Sequence, residues 1–386
     1  MVPLLSELAG RGHEVEVVVP PPFVDYVERV GLRATGLGPA WTEMAIDDVH
    51  PGWHDLDGAG QLRVWTEFAT RFEPYLVRHV EATRPDVIVH DHMEFAAWLV
   101  GEQLDIPWVP YAMTVRTLDP TVIALSGATE AVEAMRASAG LPPDNGEGRG
   151  GHWLYLDAMP PSLTAELLPP GPTVHHVRHV ADDRTGSDGV PTPMASSRSG
   201  RPLVYLTLGT IFNRADGIMQ RLIDGAGRVD ADVLVTVGEN GRVPASVPDN
   251  VRIETYVPQQ SLYPSLSAVV CHAGFGTVFG AIAHGLPVGC APIAADQRAN
   301  AALISGAGAG VNLATTVPDG GLFPVLGEGE PDPALVAATI ERLLDDVSLR
   351  ERANELRTEL RTGISQSDAA DLVEKVVADR APMLRR

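Results

Sequence analysis

The chain has 386 residues, of which 45% are hydrophobic, and its 29 basic and 50 acidic residues leave a formal net charge of −21. This length predicts two domains of roughly 150 to 200 residues, and the apolar content excludes wholesale disorder. The negative charge repels phosphate backbones, so no nucleic acid partner is expected.

The sequence contains one lysine, Lys375, so it lacks the lysine of a Walker-type phosphate loop and a lysine suited to Schiff-base chemistry. Its two cysteines, Cys271 and Cys290, lie in apolar runs and are expected to be reduced. Neither a run of about 18 apolar residues nor a secretion signal is visible. The sequence therefore predicts a soluble, cytoplasmic protein without a membrane span.

Apolar periodicity in the first half of the chain predicts alternating helices and strands. The predicted helices cover 2–9, 23–30, 61–82 and 95–103, and the predicted strands cover 15–19, 32–35, 87–90 and 108–111. In most of these strands the apolar residues are consecutive rather than at every second position. This pattern indicates a parallel sheet that helices cover on both faces.

A polar segment rich in glycine, proline and serine, 182–200, is predicted to be a linker. The alternation restarts after it, with predicted strands at 203–207, 233–237, 251–254, 268–271, 288–291 and 311–313, and predicted helices from 217 and over 277–283, 296–304 and 333–375. The fold class is therefore α/β, with two doubly wound, Rossmann-like domains. Ligands of such folds bind at the carboxyl ends of the strands, here expected to face an interdomain cleft.

The segment from His272 to Thr277 reads His-Ala-Gly-Phe-Gly-Thr and lies between a predicted strand and a predicted helix. Glycines let the main chain approach a ligand closely, and the helix N-terminus offers N–H groups together with the positive end of its dipole. The segment can hold a diphosphate without a lysine. A tight turn with no ligand is the alternative interpretation.

Two neighbouring segments support ligand binding at this turn. Tyr-Val-Pro-Gln at 256–259 follows a strand, and Asp296 and Gln297 follow the next one. A carboxylate and an amide supply the acceptors and donors that sugar hydroxyls need. Taken by itself, an aspartate in this position is more often a helix N-cap than a ligand contact.

Together with Gly285-Leu286-Pro287 and Asn300-Ala301, these motifs resemble the donor-binding segments of GT-B nucleotide-sugar glycosyltransferases. More narrowly, the chain is similar to bacterial enzymes that glycosylate macrolides, enediynes and anthracyclines. The resemblance extends over nearly the whole chain, including 206–210 and 11–15. It implies an acceptor domain over 1–181, a donor domain over 201–365, and a C-terminal helix within 366–386 that returns to the first domain.

The resemblance also implies roles for individual residues. The donor diphosphate is expected to contact the side chain or main chain of Thr210, His272, Gly274, Gly276 and Thr277. Val257 and Gln259 are expected to contact the base, and Asp296 and Gln297 the sugar. Plant relatives place a ribose-binding glutamate eight positions after the motif histidine, where this chain has Gly280, so the resemblance favours dTDP over UDP.

In the family, an acceptor hydroxyl attacks the anomeric carbon with inversion, and neither a metal nor a cofactor is required. The family's base is a histidine on the loop after its first strand, and a strand-end aspartate orients it. Asp91 matches that aspartate, although a solvated strand-end acid explains it equally well. The numbered sequence begins at the helix that follows the family's histidine loop, so we expect Met1 to be a misplaced start with some 15 to 20 codons upstream. His13 is expected to pack or cap rather than to replace that histidine.

The irregular segments 40–59 and 111–151 are expected to bind the acceptor, a small-molecule aglycone, and Trp41, Trp53 and His92 are its candidate contacts. Core packing is the alternative for these side chains. The predicted activity is transfer of a (deoxy)sugar from dTDP or UDP to a hydroxyl of a small hydrophobic natural product. A nucleotide-sugar epimerase and a non-catalytic donor-binding partner are the alternatives, and a homodimer is compatible with the sequence.

Overall fold

The computed structural model describes residues 1–39, 46, 48–53, 56, 58–166, 168–179, 200–209, 216–238, 246–316, 326 and 329–385. The chain divides into two compact units, one made of Met1–Val180 with Thr362–Arg386 and the other of Ala181–Arg361. All but the last residue of the predicted linker, 182–200, lies outside the described residues.

The first unit alternates strands and helices. Its strands are β1 (Glu16–Val19), β2 (Arg33–Gly36), β3 (Ile88–Asp91), β4 (Trp108–Ala112), β5 (Tyr155–Asp157) and β6 (Val174–His176). Its helices before the linker are α1 (Val2–Gly10), α2 (Val24–Arg29), α3 (Gly58–Thr83), α4 (Phe95–Leu104), α5 (Pro120–Leu125), α6 (Thr129–Ser138) and α7 (Pro161–Thr164). The sequence prediction was incomplete because it ended at β4 and missed β5 and β6, which have only three residues each.

The strands of the first unit form two parallel sheets, β1–β2 and β3–β4–β5–β6. Val17 and Val19 of β1 and Val89 of β3 pack against one apolar cluster that includes Leu5 of α1. Val18 of β1 and Ile88 of β3 pack against a second cluster. Strands from both sheets thus lie between the same two apolar layers. The expectation about codons upstream of Met1 stays a prediction.

The described residues of the second unit form one parallel sheet of six strands. They are β7 (Leu203–Thr207), β8 (Asp232–Thr236), β9 (Val251–Glu254), β10 (Ala268–Cys271), β11 (Val288–Cys290) and β12 (Gly310–Asn312), in the order β12–β11–β10–β7–β8–β9. Every residue of β7 and of β10 is buried, which explains why these strands are apolar apart from Thr207 at the end of β7. The helices before the C-terminal ones are α8 (Asp216–Ala226), α9 (Gln259–Leu262), α10 (Phe275–Ala283) and α11 (Gln297–Gly306).

Three helices close the chain: α12 (Pro333–Asp345), α13 (Val347–Leu360) and α14 (Gln366–Asp379). The sequence predicted helices over 333–375 and a C-terminal helix from 366, but it did not place the break at Asp346. The Asp346 carboxylate accepts the N–H of Ser348 at 3.1 Å, and Ser365 forms a capping box with Asp368. Each begins a new helix because its side chain bonds to orphan N–H groups. None of the described helices combines the length and the apolar character that crossing a membrane requires.

Helix α14 belongs to the first unit and contacts Arg11, the residue that directly follows α1. The guanidinium lies 2.6 Å from the Asp371 carboxylate and 3.1 Å from that of Glu374. Hydrogen bonds to these two acids and to Glu7 raise the pKa of Arg11 above its ordinary value. The imidazole of His13 lies 2.9 Å from Glu374, so this histidine takes part in the same surface contact.

We predict that Gly225→Ala destabilises the second unit by at least about 1 kcal/mol, because a close helix contact leaves no room for a methyl group. A Cβ at Gly225 in α8 would lie 2.5 Å from Cβ of Val336 and 2.6 Å from the carbonyl oxygen of Pro333 in α12. Thermal unfolding measures the effect. The matched control is Gly306→Ala at the end of α11, where a Cβ meets no atom within 4 Å. Equal melting temperatures for the two variants would contradict the prediction.

Candidate functional site

The turn after β10 is the centre of the candidate donor site. β10 ends at Cys271, Ala273 adopts a left-handed conformation with φ +68°, and α10 begins at Phe275. That conformation costs an alanine roughly 1–2 kcal/mol. Buried Asn300 donates a hydrogen bond to the carbonyl of Ala273 at 3.0 Å and thereby holds the turn.

The ring of His272 is packed between two glycines. A Cβ at Gly209 would lie 2.6 Å from Cε1 of the imidazole, and one at Gly274 would lie 2.4 Å from Nε2. Gly209 also has φ +80°, which favours glycine at this position. The imidazole therefore fills the space between the turns that follow β7 and β10, and neither glycine can be replaced without moving it. Thr210, the next predicted contact of the diphosphate, lies outside the described residues.

Burial lowers the pKa of His272 to about 4, so the imidazole is neutral at physiological pH. Its Nδ1 has no hydrogen-bond partner among the described residues. A neutral imidazole offers one N–H donor and one acceptor. Next to it, Gly276 is exposed in the first turn of α10, where helix N–H groups and the helix dipole favour an anion. The arrangement can bind an anion without a positively charged imidazole.

Gln259 is held by hydrogen bonds from three directions. Its Oε1 accepts from the hydroxyl of Tyr263 at 2.9 Å and from that of Thr277 at 3.4 Å. Its Nε2 donates to the hydroxyl of Tyr205 at 3.3 Å. The structure thus brings together Gln259 and Thr277, which the sequence assigned to the base and to the diphosphate. The side chain of Val257 is buried, so any contact of this residue with a ligand falls to its main chain.

Asp296 and Gln297 lie together at the start of α11, after β11. The carboxylate of Asp296 accepts from Nδ2 of Asn300 at 2.8 Å. Asp296 occupies the N-cap position, but its side chain forms no capping hydrogen bond, so capping does not account for this carboxylate. Oε1 of buried Gln297 accepts the N–H groups of Ile293 at 2.8 Å and of Ala294 at 3.0 Å. Gln297 therefore organises the main chain of the loop.

Asp91 is the last residue of β3 in the first unit, and His92 follows it. Oδ1 of Asp91 accepts the N–H of Met93 at 2.8 Å, which fixes the carboxylate at the strand end. His92 is buried, its Nδ1 lies 3.0 Å from the hydroxyl of Thr117, and burial lowers its pKa. Neighbouring His90 is also buried, and burial lowers its pKa to about 4.

The two tryptophans predicted to contact the acceptor differ in what the structure describes. The side chain of Trp53 is fully buried and lies edge-on to Trp65, with the ring centroids 6.2 Å apart. This environment is that of a packed core residue. Trp41, with Met44 and His54 of the same segment, lies outside the described residues.

Sequence reasoning missed a buried ion pair at the same sheet edge as Asp91. Arg116 is 1% exposed, and it donates to the carboxylate of Asp157 at 2.9 Å and to the carbonyl of Leu168 at 2.7 Å. Asp157 ends β5, so the rule that pointed to Asp91 finds it once that strand is recognised. Glu94, whose pKa burial raises to about 7, is a further acid near this edge.

We predict that the stability of the second unit falls as the pH drops from about 6.5 toward about 4. Across this range the unfolded chain protonates at His272, whereas the folded protein, with its pKa lowered to about 4, does not. Unfolding therefore takes up a proton, and stability is full only above the unfolded pKa. The contribution is no more than about 3 kcal/mol.

Denaturant unfolding of the wild type and of His272→Asn between pH 4 and pH 7.5 measures this effect. The wild type should show the steeper loss of stability at acidic pH. His90 contributes equally to both proteins, so it cancels in the difference. Parallel pH profiles would show that His272 does not stay neutral in the folded state.

Comparison with known proteins adds independent findings. The family model described as Erythromycin biosynthesis protein CIII-like, C-terminal domain, matches residues 220–378. Elloramycin glycosyltransferase ElmGT of Streptomyces olivaceus is 30% identical over 388 residues, which cover 96% of this chain and 91% of the relative. The 4'-demethylrebeccamycin synthase of Lentzea aerocolonigenes is 28% identical over 429 residues, covering 98% and 96%.

Among solved structures, the spinosyn rhamnosyltransferase SpnG complexed with thymidine diphosphate superimposes with a TM-score of 0.75. It is 25% identical, and the match covers 97% of this chain and 95% of that one. The similarity therefore extends over both units of the fold and is not confined to the motifs of the second unit.

Proposed function

Since the chain belongs to the GT-B glycosyltransferases of bacterial natural-product biosynthesis, we propose that it transfers a deoxysugar from dTDP to a hydroxyl group of a small hydrophobic natural product, with inversion. The observation that carries this proposal is the lysine-free turn of β10 and α10. A neutral imidazole, an exposed glycine and a helix N-terminus there suit a leaving diphosphate.

The chemistry assigned to these groups is a single displacement. The acceptor oxygen forms a bond to the anomeric carbon while the bond from that carbon to the diphosphate breaks, and the hydroxyl proton passes to a base. Negative charge grows on the leaving diphosphate. The N–H donors at the start of α10 and on His272 stabilise that charge because they are already oriented before the reaction.

Two observations support dTDP as the donor nucleotide. The structure of the similar rhamnosyltransferase holds thymidine diphosphate. In this chain, position 280 is a glycine within α10, so it supplies no carboxylate to a ribose. The deoxysugar is proposed because relatives carry names such as L-demethylnoviosyl transferase and tylactone mycaminosyltransferase.

The direct test is to mix the protein with a TDP-deoxysugar and a hydroxylated aromatic or macrolide aglycone, and to follow TDP release and glycoside formation by chromatography. We expect both products in equal amounts. Thermal-shift titrations with TDP and UDP compare the nucleotides, since a ligand that binds the native state raises its stability. If the protein binds neither TDP nor UDP, the proposed function is wrong.

We predict that Gly276→Ala weakens TDP binding at least about tenfold without loss of stability. A Cβ at Gly276 meets no protein atom within 4 Å, and alanine favours a helix more than glycine does. The added methyl group therefore obstructs only a ligand that lies against this turn. Isothermal titration calorimetry gives the affinity, and Gly306→Ala is the matched control with an equally open Cβ position.

We predict that Asp91→Asn lowers kcat by about tenfold to a hundredfold, because the variant loses the negative charge that assists removal of the proton from the acceptor hydroxyl. The amide oxygen of asparagine can still accept the N–H of Met93, so the strand end keeps its conformation. Steady-state kinetics measure kcat, and TDP affinity should stay at the wild-type value. An unchanged kcat would show that Asp91 is a solvated acid that takes no part in the reaction.

A further inference from the structure

Tyr263 is a buried residue in a short 3₁₀ turn, Tyr263–Ser265, between α9 and β10. Its ring stacks on His284 with the centroids 5.1 Å apart. Its hydroxyl lies 2.9 Å from Oε1 of Gln259 and 3.2 Å from the carbonyl oxygen of Thr277. One buried side chain thus connects the segment assigned to the base with the helix assigned to the diphosphate.

The same ring occupies the space beside Gly280 in α10. A Cβ at Gly280 would lie 2.6 Å from the Tyr263 hydroxyl and 2.9 Å from each of two ring carbons. Separations under about 3 Å require a neighbour to move, and Tyr263 is enclosed on all sides. Tyrosine at 263 and a side chain at 280 therefore exclude each other in this packing.

The hydroxyl of Tyr263 also determines the orientation of the Gln259 amide. Because Oε1 accepts from Tyr263, Nε2 points to the hydroxyl of Tyr205, which lies 2.7 Å from that of Thr236. Both ends of the amide are thereby fixed before a ligand arrives. A preorganised group binds more tightly because no rotamer freedom is lost on binding.

We propose that Tyr263 is a positioning residue that sets nucleoside selectivity in the donor site. It fixes Gln259 for the base, and it excludes any side chain at 280 that could bond to a ribose 2′-hydroxyl. The site then gains nothing from that hydroxyl and accepts a deoxyribonucleotide as well as a ribonucleotide. This inference rests on the proposed function, since it requires the nucleotide to bind in the second unit.

The first test is Tyr263→Phe, which keeps the ring and removes the hydroxyl. We expect Kd for TDP and for UDP to rise by the same factor, about fivefold to tenfold, because Gln259 loses a partner that fixes it. KM for the donor should rise while kcat at saturating donor stays constant. A merely structural role would lower the melting temperature and leave both Kd values unchanged.

Tyr155→Phe is the matched control, since Tyr155 is also buried but lies in β5 of the first unit. It should leave nucleotide affinity unchanged. Wild-type protein that binds neither TDP nor UDP overturns the proposed function itself. If the wild type binds the nucleotides and Tyr263→Phe binds them with the same Kd values, only the role of Tyr263 is overturned.

The second test exchanges the two positions. Tyr263→Ala with Gly280→Glu removes the ring and supplies a carboxylate in its place. Relative to Tyr263→Ala alone, the pair should shift the ratio of UDP affinity to TDP affinity at least about tenfold toward UDP. An unchanged ratio overturns the selectivity role. If the pair does not fold, Tyr263→Phe still decides the positioning role, and Gly280→Ala, tested for stability with and without Tyr263→Ala, decides the exclusion.

Discussion

The packing of the His272 imidazole between Gly209 and Gly274 is the constraint on which the candidate donor site depends. It fixes the distance between the turns after β7 and β10, and it keeps the imidazole neutral by shielding it from water. Asn300 adds a second restraint, because it bonds both to the carbonyl of Ala273 and to Asp296. The turn after β10 and the start of α11 are thus joined by hydrogen bonds.

Sequence patterns predicted the second unit well because its strands are short apolar runs between clear turns. The strands at 203–207, 251–254 and 268–271 have the predicted bounds. The first unit was harder, since β5 and β6 lie in an irregular region and have three residues each. The break between α12 and α13 is marked only by Asp346, whose capping role depends on a local conformation that periodicity does not reveal.

The candidate site shows a similar division. A strand, a glycine turn and a helix at 268–283 are visible in the sequence, so the local structure of this turn could be predicted. The bonds of Gln297 to the main chain of its own loop could not, because the sequence shows an amide but not what it contacts. The role of Tyr263 could not be predicted because it depends on contact with Gly280. The two residues are distant in sequence and adjacent in space.

The overall charge of −21 and the dipoles of the proposed donor site act over different distances. At physiological ionic strength, charges are screened beyond about 8 Å, whereas hydrogen bonds act at contact. Dissolved ions therefore weaken the long-range repulsion of an approaching nucleotide more than they weaken its binding at the turn. Nucleotide capture by such a protein accelerates as ionic strength rises, whereas capture at a lysine-rich phosphate site slows.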